Sequence, residues 1–406
     1  MASSAEIKVV LLASEWSSKQ SGLSRLNREL AIQLAKHPKV KLFVFLPKCD
    51  KNETERDAAI TIVQAKPIPG FVDEVDWLRF PPKWLKIDFV IACGEKLGLQ
   101  AQIIRRSHFC KWIQIVNTFP EELGTFIMNP DSMPLGEMRH RQEVEFCAMA
   151  DLVLAMGFKL ADAYRSCLRF FGNAEHVFEL SPGIFNDFPD ISQMSHDQRI
   201  IRILAFGYGD VGDFNLHGFN IAAKAVAKLD DAHLIFVGGA SMEQEEVAVR
   251  LKECDLPASR LRVRNFTDNQ ERLKELFCEV DLLVVPWRTW VLGLTALEAL
   301  SAGLPILVSG YSDFGEALQQ VPSGSAFVIN SADPEQWAEG ISQMMEKPRA
   351  VRLEESKALL QNYAEKYNWR KQTSDFVEQM MAIRKCRQFN CYFLIYGYIY
   401  LMVAVK

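Results

Sequence analysis

Short, continuous runs of apolar residues recur along the whole chain. They alternate with segments in which apolar residues return every three or four positions. Such runs are typical of strands that are buried on both faces of a parallel sheet. We therefore predict strands at residues 7–13, 41–47, 88–94, 112–119, 151–157, 176–183, 201–207, 233–239, 261–266, 281–287, 304–310 and 326–330.

The segments between these strands have helical periodicity. In the first of them a single apolar stripe, suited to packing on a sheet, is formed by Leu23, Leu26, Leu30 and Leu34. Regular alternation of strand and helix predicts doubly wound α/β sheets. A polar stretch at 182–199, punctuated by prolines, separates two such sets.

The two sets predict an α/β architecture of two Rossmann-like domains facing a central cleft. Ligands of such sheets bind at the carboxyl ends of the strands. The predicted regions are a first domain at 1–188, a linker at 189–199, a second domain at 200–350, closing helices at 351–382 and a tail at 383–406.

Composition narrows the class of protein. The 406 residues carry a net charge of -5, which argues against a nucleic-acid partner because no excess of cations exists to replace phosphate counterions. None of the nine cysteines forms a C-x-x-C pair, and several lie in apolar runs. Reduced thiols of this kind indicate a cytoplasmic protein. The first apolar run is interpreted as a strand, since no basic segment precedes it.

The hydrophobic tail has two interpretations. Residues 389–405 are apolar apart from Asn390, and Arg384, Lys385 and Arg387 precede them. Basic residues beside an apolar segment suit a membrane contact with the charges kept in the cytoplasm. The segment is shorter than the ~20 residues that span a bilayer, and its aromatic and β-branched content also suits a strand or an irregular extension.

A glutamate on a predicted helix is the first candidate for ligand binding. Glu298 lies in a helix that follows the strand 281–287 and opens near Gly293. A carboxylate can accept two hydrogen bonds at once, as the paired hydroxyls of a sugar require. The free N–H groups at Gly293, Leu294 and Thr295 form a site for an anion such as a diphosphate. From the spacing alone, a solvated helix glutamate is the favoured interpretation of Glu298, and Gly293 also fits an ordinary glycine turn.

Three further positions suit a ligand at the strand ends. His217 and Gly218 precede a helix after the strand 201–207, where they could face a phosphate, and the histidine could carry charge in part near neutral pH. Gly22 opens the first helix and would let a ligand approach the backbone. Asn117 ends the strand 112–119. His217 also fits an ordinary histidine of a surface loop, and Gly22 is a lone glycine outside any longer motif.

These residues, in this order, resemble the retaining glycosyltransferases of family 4, which have the GT-B fold. The resemblance covers about residues 7 to 382 and is strongest in DLLVVPWRTWVLGLTALEALSAGLPILVSG, residues 281–310. It implies transfer of a sugar from a nucleotide-diphosphate sugar to an acceptor, with retention and as a rule without a bound metal or other cofactor. The first domain would bind the unknown acceptor and the second the nucleotide sugar.

The resemblance also implies roles for single residues. By position, Glu298 matches the glutamate that holds the donor's ribose, Gly22 a loop glycine beside the phosphates, and Glu316 a second recurrent acid near the donor. Gly207 and Gly218 stand where the family has the glycines of its phosphate-binding pattern. These expectations define a predicted nucleotide-sugar site.

Several charges of the family pattern are missing. Trp290 stands where the first of two glutamates is expected, the family's arginine and lysine are replaced by Tyr208 and His217, and a histidine is replaced by Asn117. Cations in such a site stabilise the charge that grows on the leaving diphosphate. Loss of one donor can cost roughly 10²–10³ in rate.

Substitutes for the lost cations are close in sequence. Lys19, Lys224 and above all Arg288 are near the predicted site, and Arg288 directly follows a strand. We therefore take Arg288, His217 and Asn117 as candidate catalytic residues. Trp290 would either stack on a ring of the ligand or fill the space of the lost glutamate. The sequence thus favours two functions: a glycosyltransferase, or an impaired relative that binds a nucleotide sugar, a glycan or a protein.

Overall fold

The computed structural model describes most of the chain. The described residues are 6–16, 22–49, 59–124, 132–185, 188, 200–207, 214–238, 244–265, 270–290 and 292–385. The predicted linker 189–199 and the tail from 386 onward lie outside them, as does Lys19.

The first domain is built on a parallel sheet of seven strands in the order β3-β2-β1-β4-β5-β6-β7. Its strands are almost entirely buried because helices cover both faces. The strands are β1 (Ile7–Leu12), β2 (Val40–Leu46), β3 (Thr61–Gln64), β4 (Phe89–Cys93), β5 (Lys111–Val116), β6 (Leu152–Met156) and β7 (Val177–Leu180).

The helices of the first domain alternate with these strands. They are α1 (Gly22–Ala35), α2 (Gly94–His108), α3 (Pro120–Gly124), α4 (Ser132–Met149) and α5 (Phe158–Leu168). The predicted stripe of α1 is buried: Leu26, Leu30 and Leu34 are each 0% exposed and belong to the core of the sheet.

The second domain repeats this design with six parallel strands in the order β10-β9-β8-β11-β12-β13. The strands are β8 (Ile201–Phe206), β9 (Ala232–Val237), β10 (Leu261–Arg264), β11 (Leu282–Val285), β12 (Ile306–Ser309) and β13 (Val328–Ile329). Its helices are α6 (Phe219–Ala227), α7 (Gln244–Lys252), α8 (Gln270–Glu279), α9 (Leu294–Ser301), α10 (Asp313–Gln319) and α11 (Pro334–Met345).

Two closing helices connect the domains. In α12 (Arg349–Lys366), Leu359 and Tyr363 belong to the core of the second domain. In α13 (Trp369–Lys385), by contrast, Phe376 and Met380 belong to the core of the first domain. The end of the chain therefore crosses back and ties the two domains together.

A buried ion pair anchors α12. Arg349 and Asp281 are 1% and 2% exposed, and their side chains form a salt bridge just before β11. The other carboxylate oxygen of Asp281 accepts from the backbone N–H of Arg202 at 2.8 Å. The guanidinium of Arg202 also pairs with Asp281, with 3.6 Å between its Nε and Oδ2 of Asp281. The buried carboxylate is therefore compensated by two arginines, of which only Arg349 is itself fully buried.

Each of the predicted strands corresponds to a strand of the structure, within a few residues at the ends. One strand of the structure, β3 (Thr61–Gln64), was not predicted. This strand lies at the edge of its sheet, and only Val63 of its four residues is buried. It therefore lacks the continuous apolar run from which the other strands were predicted.

Candidate functional site

The carboxyl ends of both sheets face each other, and side chains from the two domains meet there. Three pairs cross the cleft: Arg25 with Glu298, Trp290 with Glu122, and Lys159 with Asp313. Each pair joins a first-domain helix to a segment that follows β11 or β12 in the second domain. The predicted site lies between them.

Glu298 is a buried residue of the predicted site. It lies in the second turn of α9, and only 7% of it is exposed. Its Oε1 accepts a hydrogen bond of 2.7 Å from Nη1 of Arg25 on the first turn of α1. Glu298 is therefore not a solvated helix glutamate, and its carboxylate is oriented from the opposite domain.

Arg25 was not predicted as a site residue. Nothing in the sequence distinguishes Arg25 from Arg28, which lies one turn further along the same helix. What distinguishes Arg25 is its surroundings: its guanidinium carbon lies 4.9 Å from the ring centroid of Phe185 and 5.2 Å from that of Phe188. Both rings belong to the core of the second domain.

The start of α9 is the helix N-terminus that the sequence predicted as an anion site. Gly293 caps the helix with a φ of 66°, a left-handed conformation that side chains other than glycine's adopt at a cost. A Cβ at this position would also lie 3.0 Å from Cβ of Phe314. Leu294 packs against the cores of both domains, and Thr295 is half-buried. The first N–H groups of α9 have no acceptor within the helix, and the helix dipole places partial positive charge at this end.

A second helix start lies beside the first. Gly218 caps α6 with a φ of 64°, and a Cβ there would lie 2.0 Å from the carbonyl oxygen of Pro286. Gly207 directly follows β8 and leaves room for the ring of Phe219, whose Cζ would be 2.8 Å from an added Cβ. The loops after β8 and β11 are therefore in direct backbone contact.

His217 does not carry the charge that was expected of it. Its ring lies 5.2 Å from that of Phe219 and 5.1 Å from that of Trp287, measured between centroids. Burial among these rings lowers the pKa of His217 to about 4, so the imidazole is neutral at pH 7. Its buried Nδ1 has no hydrogen-bond partner within the described part of the chain.

Arg288 keeps its place as a candidate cation. Its backbone N–H donates to the carbonyl of Leu216 at 3.2 Å, which sets it beside the start of α6. The side chain is half-buried, and its Nε makes no hydrogen bond to any described residue. Lys224, by contrast, is exposed in the last turn of α6, at the end away from the cleft.

Trp290 packs against the first domain. Its ring centroid lies 5.2 Å from that of Phe119, with the planes tilted by 48°. Its backbone N–H donates to Oε2 of Glu122 on α3 at 3.2 Å. Burial raises the pKa of Glu122 to about 7. Of the two interpretations of Trp290, this contact fits the filling of space between the domains.

The remaining predicted residues are spread along the cleft. Gly22 is the first residue of α1. Asn117 follows β5, is 6% exposed, and donates from Nδ2 to Sγ of Cys93 at 3.0 Å. Glu316 is half-buried in the first turn of α10, where it interacts electrostatically with Lys159.

Lys159 and Asp313 form a cross-domain contact that the sequence did not predict. Oδ1 of Asp313 accepts from the backbone N–H of Lys159 at 2.6 Å and so caps α5 from the other domain. The ammonium of Lys159 donates to the carbonyls of Gly310 and Tyr311 at 2.6 Å and 2.9 Å. Burial raises the pKa of Asp313 to about 7.

The described residues contain neither a cluster of metal-binding side chains nor a helix suited to span a membrane. No group of three or more His, Cys, Asp or Glu side chains is placed to hold a metal ion in the part of the chain that the structure describes. Within the same residues, no helix is both long enough and apolar enough to cross a bilayer. The predicted tail segment 389–405 lies outside the described residues.

The sequence matches known glycosyltransferases. Residues 10–376 match the family described as Family 4 Glycosyltransferase in conflict systems. The D-inositol 3-phosphate glycosyltransferase of Mycolicibacterium smegmatis is 27% identical over 135 residues, which are 32% of this chain and 30% of the relative. That of Rhodococcus erythropolis is 28% identical over 99 residues, 24% of this chain and 22% of the relative. The chain thus spans less than a third of the curated relatives it matches.

Solved structures share the fold over nearly the whole chain. Sucrose-phosphate synthase from Thermosynechococcus elongatus has a TM-score of 0.70 at 15% identity and covers 93% of this chain and 100% of its own. Anabaena HepE in complex with UDP and glucose has a TM-score of 0.66 at 15% identity, with the same coverage. WaaG, a glycosyltransferase of lipopolysaccharide biosynthesis, has a TM-score of 0.62 at 16% identity and covers 92% and 99%. The predicted GT-B architecture is confirmed.

Proposed function

Because the chain belongs to the family-4 glycosyltransferases, in the group described from conflict systems, we propose that it transfers a sugar from a nucleotide-diphosphate sugar to an acceptor with retention. The observation that carries this proposal is the placement of Glu298. The residue is 7% exposed and lies one turn into α9, the helix that starts at the cleft. A buried acceptor beside a helix N-terminus suits a ribose diol next to a diphosphate.

The donor would lie across both helix starts of the second domain. In this arrangement Glu298 accepts hydrogen bonds from the ribose, and the N–H groups at Gly218 and Thr295 face the diphosphate. Gly207 and Gly293 allow the backbone to come close to the phosphates, and Leu294 holds the α9 start against both cores. Gly22 and Glu316 are proposed as further contacts to the donor from α1 and α10.

Charge on the leaving diphosphate would be stabilised chiefly by Arg288. A guanidinium beside the phosphates acts where negative charge develops in the transition state. His217 is proposed as a neutral partner whose Nδ1 forms a hydrogen bond with the ligand, and not as a cation. Asn117 is proposed to act from the first domain, where the family has a histidine. The donor is a substrate in this scheme, and no other cofactor is invoked.

A binding role without turnover is the second candidate. It is favoured by the contact between Trp290 and Phe119, which occupies the region of the family's first glutamate. The low pKa of His217 removes a second charge. With fewer groups to stabilise the leaving diphosphate, the same cleft would hold a nucleotide sugar or glycan, or the chain would serve as a protein-interaction module.

Thermal unfolding with nucleotides tests the site first. The panel is UDP, GDP and ADP with their sugars; UDP-glucose is included because HepE was solved with it. A ligand at a hundred times its dissociation constant stabilises the native state by ~2.7 kcal/mol. We expect one nucleotide to raise the melting temperature, and Glu298→Ala to abolish this effect. Glu339→Ala, an exposed helix glutamate, is the matched control. No shift with any nucleotide would refute the site.

Turnover separates the two candidates. A transferase should hydrolyse its donor slowly without acceptor, and Arg288→Ala should lower that rate by roughly 10²-fold if the guanidinium stabilises the leaving group. The anomeric configuration of the released sugar, followed by NMR, tests retention. Binding without any hydrolysis would favour the module, and unchanged hydrolysis in Arg288→Ala would remove Arg288 from the mechanism.

The tail supports a proposal on location. We propose a cytoplasmic protein in which the apolar segment 389–405, preceded by basic residues, contacts a membrane. Fractionation of the full chain and of a chain ending before Phe389 tests this. Only the full chain should sediment with membranes; equal behaviour of both would exclude a role for the tail.

A further inference from the structure

We propose that Arg25 is a positioning residue that orients Glu298 for the donor's ribose and makes this orientation depend on closure of the two domains. The inference rests on the proposed nucleotide-sugar site and adds to it a residue from the opposite domain. It is carried by the 2.7 Å bond between Arg25 and Glu298 across the cleft.

The guanidinium of Arg25 is inserted into the second domain. Its neighbours Phe185 and Phe188 belong to that domain's core, and their ring centroids lie 4.9 Å and 5.2 Å from the guanidinium carbon. The backbone N–H of Phe185 in turn donates to Oγ of Ser301 at the end of α9, at 3.0 Å. The helix that carries Glu298 therefore also holds the aromatic ring against which Arg25 packs.

The pairing suits the chemistry of a ribose. A carboxylate has about four acceptor positions on its two oxygens, and the bond from Arg25 uses one of them, on Oε1. The side chains of Arg25 and Glu298 are 14% and 9% exposed. A carboxylate so far removed from water depends on a paired cation. Arg25 thus supplies both the positive charge that compensates the carboxylate of Glu298 and the hydrogen bond that orients it.

The geometry ties this pairing to closure. Arg25 belongs to α1 of the first domain and Glu298 to α9 of the second, so moving the domains apart by a few ångströms separates the atoms. Lys159 and Asp313 cross the cleft between α5 and α10, and their contact does not orient Glu298. The carboxylate is therefore in its ribose-binding orientation only when the domains are together.

Loss of ribose preference is the decisive measurement. Binding of UDP, GDP and ADP is compared with binding of their 2′,3′-dideoxy forms in the wild type and in Arg25→Met. We expect the wild type to prefer the ribose form by about tenfold or more, as for hydrogen bonds to a charged group, and Arg25→Met to bind both forms alike. A purely structural role for Arg25 would weaken both forms equally and leave the preference intact.

Two variants complete the series. Arg28→Met removes a cation from the same helix, where it faces the ring of Trp16 at 5.7 Å, and should keep the preference. Arg25→Lys retains the charge without the planar fork and should restore part of the preference. If Arg25→Met fails to fold, Arg25→Lys decides alone: a preference equal to that of the wild type would overturn the proposal.

Closure is measured without nucleotide. Small-angle scattering should give a larger radius of gyration for Arg25→Met than for Arg28→Met, and equal values would overturn the dependence on closure. A wild type that binds no nucleotide would refute the proposed function, and this inference with it. Nucleotide binding with ribose preference retained in Arg25→Met would refute only the role of Arg25.

Discussion

Replacing Gly218 with alanine perturbs the junction of the two loops that would hold a diphosphate. Gly218 caps α6 at a φ of 64°, and an added Cβ would lie 2.0 Å from the carbonyl oxygen of Pro286. The obstacle is backbone, so rotation of a side chain cannot relieve it. One of the loops has to move by roughly 1 Å or more to reach ordinary contact distance.

The loss of stability expected for Gly218→Ala has two contributions. A left-handed backbone costs a residue with a side chain roughly 1–2 kcal/mol, and overpacking adds typically about 1–3 kcal/mol. We therefore expect Gly218→Ala to lower the free energy of unfolding by roughly 2–5 kcal/mol. Gly172 is a matched control, since its φ is 71° and no described atom lies within 4 Å of an added Cβ. Gly172→Ala should lose only the backbone contribution.

Denaturant unfolding of both variants, followed by circular dichroism, gives the comparison. The difference between them isolates the contact of Gly218 with Pro286. The nucleotide that stabilises the wild type should also bind Gly218→Ala more weakly, because the displaced loop carries the α6 start, and bind Gly172→Ala normally. Equal losses of stability in the two variants would refute the account of close backbone packing, whatever the effect on binding.

Two further predictions concern buried charges. Arg349→Met should lower the free energy of unfolding by up to roughly 3–5 kcal/mol, because it removes the buried partner of Asp281 and leaves only the more exposed Arg202 to compensate that carboxylate. Arg264→Met, which breaks a half-exposed pair, should cost about 1 kcal/mol or less; similar losses would contradict this. The pKa of Asp313 is raised to about 7, so between its ordinary value and pH 7 only the folded state holds the proton, and the stability from this group falls as pH rises. The free energy of unfolding of Asp313→Asn, measured with urea, should therefore rise relative to that of the wild type by on the order of 3 kcal/mol between pH 4 and pH 8. Asp162→Asn, which replaces an exposed aspartate, should show no such rise. A difference between Asp313→Asn and the wild type that does not depend on pH would refute the assignment.

Much of the fold could be predicted because it depends on local pattern. Strands buried on both faces need continuous apolar runs, and helices that cover a sheet need a stripe such as that of Leu26, Leu30 and Leu34, which is fully buried. The edge strand Thr61–Gln64 has no such requirement, since one of its edges and part of its surface face water. This strand therefore has no continuous apolar run from which it could be predicted.

The candidate site could be predicted in part. Gly293 and Gly218 stand at helix starts with positive φ, a role that glycine between a strand and a helix indicates locally. The charge state of His217 could not be predicted in this way. It depends on the rings of Phe219 and Trp287, which surround the imidazole only after β8 and β11 come together.

By itself the sequence determined the two doubly wound domains, the helix starts at the cleft and the resemblance to family-4 glycosyltransferases. Each of these features depends on residues that are close together in the chain. Only the tertiary structure decided what those residues face. The ion pair of Arg25 with Glu298 joins positions 273 residues apart, and Trp290 meets Glu122 across 168 residues. Contacts between residues so far apart in the chain arise when one domain packs on the other, and a local sequence pattern does not predict them.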